Sequence, residues 1–162
     1  MNKQVLESKQ ALVKEIAEKI KDSASITIAE YRGLTVEQIQ TLRRALREAD
    51  ASMSVYKNSL LERALADLKY EGLDEYLTGP NAIIFSKELS DGPKIASKYA
   101  RKFGDVFTIK GGYAEGKAYD KKGMIEIGKL PNKEGMLSMF LSVLNAPIRQ
   151  FACAVKAVAD KN

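Results

Sequence analysis

One stretch of the sequence has nearly the residue types and spacing of a nucleotide-binding loop. Residues 111–118, Gly-Gly-Tyr-Ala-Glu-Gly-Lys-Ala, match the pattern G-x-x-x-x-G-K-[ST] except at the last position. Ala118 stands where this loop needs a hydroxyl to hold magnesium, and Tyr113 and Glu115 would crowd a cradle of bare backbone amides. We favour a glycine-rich hairpin or loop. A phosphate- or nucleotide-binding enzyme using the Gly111–Lys117 loop is the alternative.

The composition excludes most other catalytic chemistry. The 162 residues include no His and only one Cys, Cys153. Without His there is no Ser-His-Asp triad, no Cys-His pair and no imidazole metal site. One Cys also excludes zinc knuckles, iron–sulfur clusters and intramolecular disulfides. Paired carboxylates could still catalyse without His, but no spacing singles out Asp74, Glu75 or Glu30. We therefore expect no catalytic residues, no metal site and no cofactor.

The charge is mildly basic and evenly spread. Lys and Arg number 26 against 21 Asp and Glu, for a net charge of +5. Basic residues exceed acidic residues by two in residues 1–70, by one in 71–130 and by two in 131–162. A polyanionic partner is consistent with this balance, but only the placement of the cations can indicate one.

The sequence shows neither a signal peptide nor a membrane span. Residues 1–4 are polar, without an apolar signal core. The longest uncharged run of the apolar tail, Gly135 to Ile148, has 14 residues, whereas a bilayer span needs about 20. We expect a cytoplasmic protein that does not contact membranes.

The elements that must position any site alternate between helices and short strands. This pattern predicts an α/β (α+β) globular domain over residues 1–130, with a small mixed or antiparallel sheet flanked by helices. A long C-terminal helix, kinked at a proline, is predicted to follow in residues 131–162. The predicted strands are 25–31, 52–56, 82–85 and 106–109, and helices are predicted at 5–20, from Thr35, from Ser59, at 91–103 and at 121–127.

Two of these helices have capping signatures at their starts. Thr35 is followed three residues later by Gln38, which gives the capping box T-x-x-Q. Ser59 and Glu62 form S-x-x-E in the same way. Both helices thus follow a strand closely, and their first N–H groups are available to an anion.

Basic residues are concentrated near these helix starts. Arg43, Arg44 and Arg47 share one flank of the helix that follows Thr35, and a solvated helix face is the alternative interpretation. Arg32 precedes Gly33 in the first strand-to-helix loop, and Lys57-Asn58 lies at the second. Guanidinium groups beside exposed amides are typical of phosphate recognition. Because aromatic residues are sparse here, we expect recognition of a folded RNA by backbone and shape.

The C-terminal segment is apolar along a continuous seam. A helix apolar on most sides must be buried. Either it packs on its own domain or, as we favour, another chain covers it; a homo-oligomer that buries its tails together is a further alternative. Pro147 is expected to kink the helix and divide it into two docking segments. The seam residues step by four and three along the chain: Leu137, Leu141, Leu144, Ile148, Phe151, Val155 and Val158.

Several of these segments together resemble the bacterial large-subunit ribosomal protein ten family, from the base of the lateral ribosomal stalk. The resemblance extends in order along essentially the whole chain, and it depends on the co-occurrence of motifs that are individually unspecific. Ser59 stands where Thr is more usual. The segments are Glu30-Tyr31-Arg32-Gly33-Leu34-Thr35, Leu42-Arg43, Leu46-Arg47, Tyr56-Lys57-Asn58-Ser59-Leu60, Arg63-Ala64 and Leu144-Asn145-Ala146-Pro147-Ile148.

The resemblance implies a scaffold without chemistry of its own. The N-terminal domain would bind 23S rRNA beside ribosomal protein eleven. The C-terminal helix would bind dimers of the acidic stalk protein seven/twelve, which recruit GTPase translation factors. Repression of the protein's own messenger RNA is also implied. The implied rRNA contacts are Arg32, Gly33, Arg43, Arg47, Lys57, Asn58 and Arg63, with Lys9 added for its place in the first helix.

Overall fold

The computed structural model describes residues 3–68, 70 and 72–160. The chain divides into two compact units, Met1–Leu130 and Pro131–Asn162. Residues 161 and 162 of the predicted partner-binding tail lie outside the described residues.

The first unit contains an open five-stranded sheet in the order β2-β3-β1-β4-β5, with every neighbouring pair antiparallel. The predicted α+β fold is therefore confirmed, with an antiparallel sheet and one strand more than the four predicted. The strands are β1 (Ser25–Glu30), β2 (Ala51–Ser54), β3 (Asn81–Ser86), β4 (Thr108–Ala114) and β5 (Lys117–Asp120).

Helices cover both faces of this sheet. One core contains Ile16, Leu61 and Leu65, so α1 and α3 pack on the same face. The other contains Leu42, Ala96 and Met124, which places α2, α4 and α5 on the opposite face. The helices are α1 (Lys3–Asp22), α2 (Val36–Glu48), α3 (Asn58–Asp67), α4 (Asp91–Phe103), α5 (Lys121–Ile127) and α6 (Lys133–Ala159), with 3₁₀ turns at Asp74–Leu77 and Gly104–Val106.

The start of α2 is as the sequence predicts, whereas the start of α3 is not. Thr35 accepts a hydrogen bond from the Gln38 backbone, and the Gln38 side chain accepts one from the Thr35 backbone. The prediction that Ser59 caps α3 is wrong. Lys57 is the N-cap, since its carbonyl oxygen already accepts from the Leu60 amide at 2.9 Å. Its side chain forms no capping bond, because an ammonium group has no acceptor.

The glycine-rich stretch forms a hairpin and not a phosphate loop. Gly111 and Gly112 belong to β4, and Lys117 opens β5 opposite Ala114. Glu115 and Gly116 form the turn with φ of 50° and 82°, the left-handed pair that a tight hairpin turn requires. A phosphate loop leads from a strand into a helix and leaves its amides free. The nucleotide-binding alternative is therefore wrong.

The central pair of strands is interrupted by a β-bulge. Ile28 pairs with Gly111, but the next residue, Ala29, pairs with Ile109. Lys110 is thus the extra residue of β4. Bulges re-aim a side chain and are frequent beside functional sites.

The second unit consists mainly of α6, a helix of 27 residues that is about 40 Å long. The helix runs from Lys133 to Ala159 with Pro147 inside it. Proline lacks the amide hydrogen of a regular helical turn, and the kink stays a prediction.

Candidate functional site

Four chain segments meet at one end of the sheet, which we call the loop end. Glu30 at the end of β1 pairs with Asn81 at the start of β3 and with Thr108 at the start of β4. β2 also ends here, since Ser54 pairs with Ile83. The antiparallel topology therefore brings both predicted strand-to-helix loops together, including Arg32, Gly33, Lys57 and Asn58. These four residues are half of the eight predicted rRNA contacts.

An open groove of about 340 Å³ lies at the loop end. Tyr31 and Tyr56, the two aromatic residues nearest the predicted contacts, both line it. Their rings offer stacking surfaces beside an exposed lysine, Lys57. A nucleotide strand crossing this groove would meet aromatic and cationic groups together. The lining residues are Tyr31, Val55, Tyr56, Lys57, Asn58, Ser59, Gly79, Pro80 and Asn81.

The bulged Lys110 holds the loop end together. Its Nζ lies 3.1 Å from Glu30 Oε2 and donates to the Thr78 carbonyl oxygen at 2.6 Å and to Asn81 Oδ1 at 3.0 Å. The Lys110 and Glu30 side chains are mostly buried, with exposed fractions of 22% and 31%. Lys110 therefore organises the groove from beneath and is not offered to a ligand.

Asn58 also stabilises this arrangement. Its side-chain Nδ2 donates to the Gly79 carbonyl oxygen at 3.0 Å. This hydrogen bond links the start of α3 to the turn before β3. Asn58 thus positions the groove wall, a role that the sequence did not indicate. Contact between its remaining polar atoms and RNA stays a prediction.

Gly33 is required by the turn itself. Its φ is 96°, a left-handed conformation that is strained for other residues. A Cβ built on Gly33 would also lie 3.2 Å from Val106 Cγ1. The loop after β1 therefore packs closely against the turn that precedes β4.

The predicted arginine contacts are exposed. Arg43 and Arg47 lie on α2, whose buried residues are Leu42 and Leu46. Neither forms an ion pair among residues 3–68, 70 and 72–160, and the same holds for Arg32. Such guanidinium groups are available to phosphate oxygens.

The structure does not gather all the predicted contacts on one face. Arg63 lies on α3, where it is exposed, and within the described residues it forms no pair with Glu62. Lys9 lies on α1 and is half-buried. Because α1 and α3 cover the face opposite α2, Lys9 and Arg63 lie on the other side of the sheet from Arg43 and Arg47.

Tyr56 is held in place by the neighbouring α1. Lys19 Nζ donates to Tyr56 Oη at 3.2 Å and lies 5.9 Å from the centre of its ring. Lys19 also pairs with Glu15 at 2.6 Å. The hydrogen bond to Glu15, and then that to Tyr56, raise the pKa of Lys19 above its usual value. Lys19 thus holds Tyr56, a residue of the groove wall, against α1.

The second candidate site is the seam of α6. Its seven residues have exposed fractions between 54% and 72%, and no described residue of the helix is buried. Met139, Phe140 and Val143 extend the exposed apolar surface beside the seam. A contiguous exposed apolar surface of ten side chains along one helix marks an interaction site.

Neither candidate site has the ligands of a metal centre. In the described residues, no three or more His, Cys, Asp or Glu side chains are grouped so as to hold a metal ion. The same part of the chain contains no helix with the length and hydropathy of a membrane span.

Two features of the site were not apparent from the sequence. Lys110 is an isolated lysine in a strand, and only the bulge gives it its role. The second feature is the row of cations on α4. Lys94, Lys98 and Lys102 recur at a spacing of four, and this spacing is the sequence signal that indicates it.

Two family models match separate parts of the chain. A family model described as Ribosomal protein L10 matches residues 4–103, and one described as Ribosomal protein uL10 C-terminal region matches residues 130–162. Large ribosomal subunit protein uL10 of Macrococcus caseolyticus is 47% identical over 162 residues, covering 99% of this chain and 94% of the relative. Its namesake in Bacillus licheniformis is 44% identical over 157 residues, covering 96% and 94%. That of Shouchella clausii is 46% identical over 158 residues, covering 97% and 95%.

Fold, exposed cations and relatives together define a structural protein of the large ribosomal subunit. The chain belongs to the ribosomal protein L10 family. This confirms the family resemblance, the assignment to the cytoplasmic ribosome and the expectation that the protein is not an enzyme.

Proposed function

We propose that this protein joins the ribosomal stalk to the large subunit. The unit 1–130 binds 23S rRNA, and α6 binds dimers of the acidic stalk protein seven/twelve. Those dimers recruit GTPase translation factors, and ribosomal protein eleven is the neighbour on the RNA. Binding of the protein to its own messenger RNA would repress its synthesis by the same surface.

The main support for this proposal is the exposed seam of α6. Seven apolar residues at heptad spacing lie on one stripe and remain exposed. Burying a side chain such as Leu or Phe stabilises a complex by about 1.5–3 kcal/mol. A partner that covers the stripe therefore gains a large binding free energy, and helices that present their own apolar face fit it best.

The loop end and α2 support RNA binding by the first unit. Arg32, Arg43 and Arg47 are exposed without ion pairs in the described part of the chain. The groove beside Lys57 adds two tyrosine rings. Phosphate contacts of this kind fix a protein on folded RNA without reading its bases.

Replacing Arg43 and Arg47 by alanine is expected to make the salt dependence of 23S rRNA binding shallower. Each lost phosphate contact reduces the log–log slope by about 0.7–0.9, so the double variant should lose about 1.4–1.8. Filter binding or fluorescence titration at several salt concentrations measures this slope. Lys14→Ala with Lys21→Ala, on the exposed surface of α1, is the control of equal charge. An unchanged slope would remove both arginines from the RNA contact.

A further inference from the structure

A second basic surface lies between α4 and the end of α5, outside the contacts predicted from the sequence. It is an open groove of about 580 Å³, which we call the α4–α5 groove. The acidic residues of the two helices, Asp91 and Glu126, do not line it. Its cationic residues are all exposed: Lys94, Lys98, Arg101, Lys102 and Lys129.

The cations of α4 are placed at an unfavourable spacing for the helix alone. Lys94, Lys98 and Lys102 follow one another at intervals of four residues, so like charges lie one turn apart and repel. In the described part of the chain, Lys98 and Arg101 have no acidic partner within ion-pair distance. Lys102 is partly accommodated by the fold, since its Nζ lies 5.8 Å from the centre of the Tyr99 ring and 6.0 Å from that of Phe103. Lys98 and Arg101 are the exposed cations that a polyanion can pair with.

The packing of the two helices brings the fifth cation to the groove. A Cβ on Gly128 would lie 2.8 Å from the Pro93 carbonyl oxygen, so only glycine allows the end of α5 to approach the start of α4 this closely. Lys129 follows directly and faces the α4 cations across the groove. The concave shape is therefore built into the fold.

We propose that the α4–α5 groove binds the sugar-phosphate backbone of a second segment of the same rRNA. The inference rests on the proposed function, which supplies the RNA. Among the described residues, the groove is lined by the five cations with Ser97 and Gly128, so no aromatic or branched apolar side chain is offered there to a protein. Lysine is depleted at the centre of protein interfaces, whereas clustered lysine and arginine are the usual footprint of a nucleic-acid backbone.

The end of the groove formed by Arg101 and Lys102 lies toward the loop end. α4 runs toward the loop end, since the 3₁₀ turn Gly104–Val106 follows it and Val106 lies against Gly33. The rise from Lys94 to Arg101 is about 10 Å. Phosphates of one strand follow about every 3.4 Å along the axis of a B-form duplex, so the row of α4 cations has the length of about three phosphates.

The test compares two triple variants of the full-length chain that carry the same net charge. Lys98→Gln, Arg101→Gln and Lys129→Gln remove three charges from the groove and keep polar side chains there, whereas Lys14→Gln, Lys87→Gln and Lys117→Gln change exposed lysines elsewhere. Binding to deproteinised large-subunit rRNA is measured against salt concentration. The groove variant is expected to lose about 2–3 in the log–log slope, and the control is expected to keep the wild-type slope.

Other outcomes separate the groove from the proposed function. Equal losses in both variants, or none in the groove variant, overturn the groove proposal while wild-type binding still supports the RNA partner. Absence of wild-type binding overturns the proposed function itself. A groove variant that binds rRNA normally but fails to retain a ribosomal protein would assign the groove to a protein partner and overturn our proposal.

Lysine acetylation read by mass spectrometry tests the groove without any substitution. In the complex of the wild-type chain with rRNA, Lys98 and Lys129 are expected to be protected, whereas Lys87 stays reactive. Equal reactivity of all three lysines with and without RNA would contradict the proposal.

Discussion

Leu144→Asp together with Phe151→Asp is expected to abolish most binding of the acidic stalk-protein dimers. The two side chains are 58% and 72% exposed and lie on either side of Pro147, one in each predicted docking segment. Each contributes about 1.5–3 kcal/mol on burial, so the double variant should bind about 10²–10⁴-fold more weakly. Isothermal calorimetry or co-purification with the dimers measures the loss.

The matched control places the same charges off the seam. Ser142→Asp with Gln150→Asp adds two aspartates to exposed positions on the opposite side of α6 and is expected to retain binding. Equal loss in both variants would indicate a helix weakened by charge and not a docking seam. A discrete homo-oligomer in the mass of the purified chain alone, dispersed by Leu144→Asp with Phe151→Asp, would favour the alternative in which tails pack together.

Gly112→Ala is expected to lower the free energy of unfolding of the first unit by about 3 kcal/mol or more. A Cβ at this position would lie 2.3 Å from the Ile26 carbonyl oxygen and 2.6 Å from Met124 Cε. Met124 can adjust, but the Ile26 carbonyl belongs to the central strand pair β1 and β4. The midpoint of thermal unfolding should fall by about 6–12 °C, as measured by circular dichroism.

Gly116→Ala is the matched control in the same hairpin. A Cβ there would meet nothing within 4 Å, and only the φ of 82° is unfavourable, at a cost of about 1 kcal/mol. If the two variants lose equal stability, the close contact between Gly112 and β1 is not the reason for glycine in β4.

Local chemistry made some of the fold predictable. The capping box of Thr35 and Gln38 lies within four residues, and the structure contains it as predicted. The S-x-x-E pattern at Ser59 is just as local, but the N-cap that it predicts is wrong, since α3 begins after Lys57. Asn58 is drawn into the first turn of α3 by its bond to Gly79, a contact 21 residues away in sequence that no local pattern shows.

The hairpin at the glycine-rich stretch was predicted, but the strand before it was predicted to end too early, for a related reason. Gly111 and Gly112 favour a loop by composition, and the predicted strand therefore stops at Ile109. In the fold they continue β4, because they pair with Ile28 and Thr27 of β1 where no larger residue fits. Sequence shows the glycine but not the neighbour that requires it.

The candidate site was predictable only in its parts. Exposure of Arg43 and Arg47 follows from their place on the flank beside the buried Leu42 and Leu46 of one helix. The meeting of Arg32 with Lys57 at the loop end depends on the strand order, which the sequence did not determine. The bulge that directs Lys110 depends on the register between β1 and β4. Sequence patterns do not determine that register, so the role of Lys110 could not be predicted.

Removal of residues 134–162 tests the division of labour between the two units most directly. The shortened chain and the full chain are each mixed with 23S rRNA and with dimers of the acidic stalk protein, and the bound species are measured. We expect the shortened chain to bind the RNA with the affinity and salt dependence of the full chain and to bind no dimers. Dimer binding by the shortened chain, or loss of its RNA binding with an unchanged thermal unfolding midpoint, would contradict the proposal.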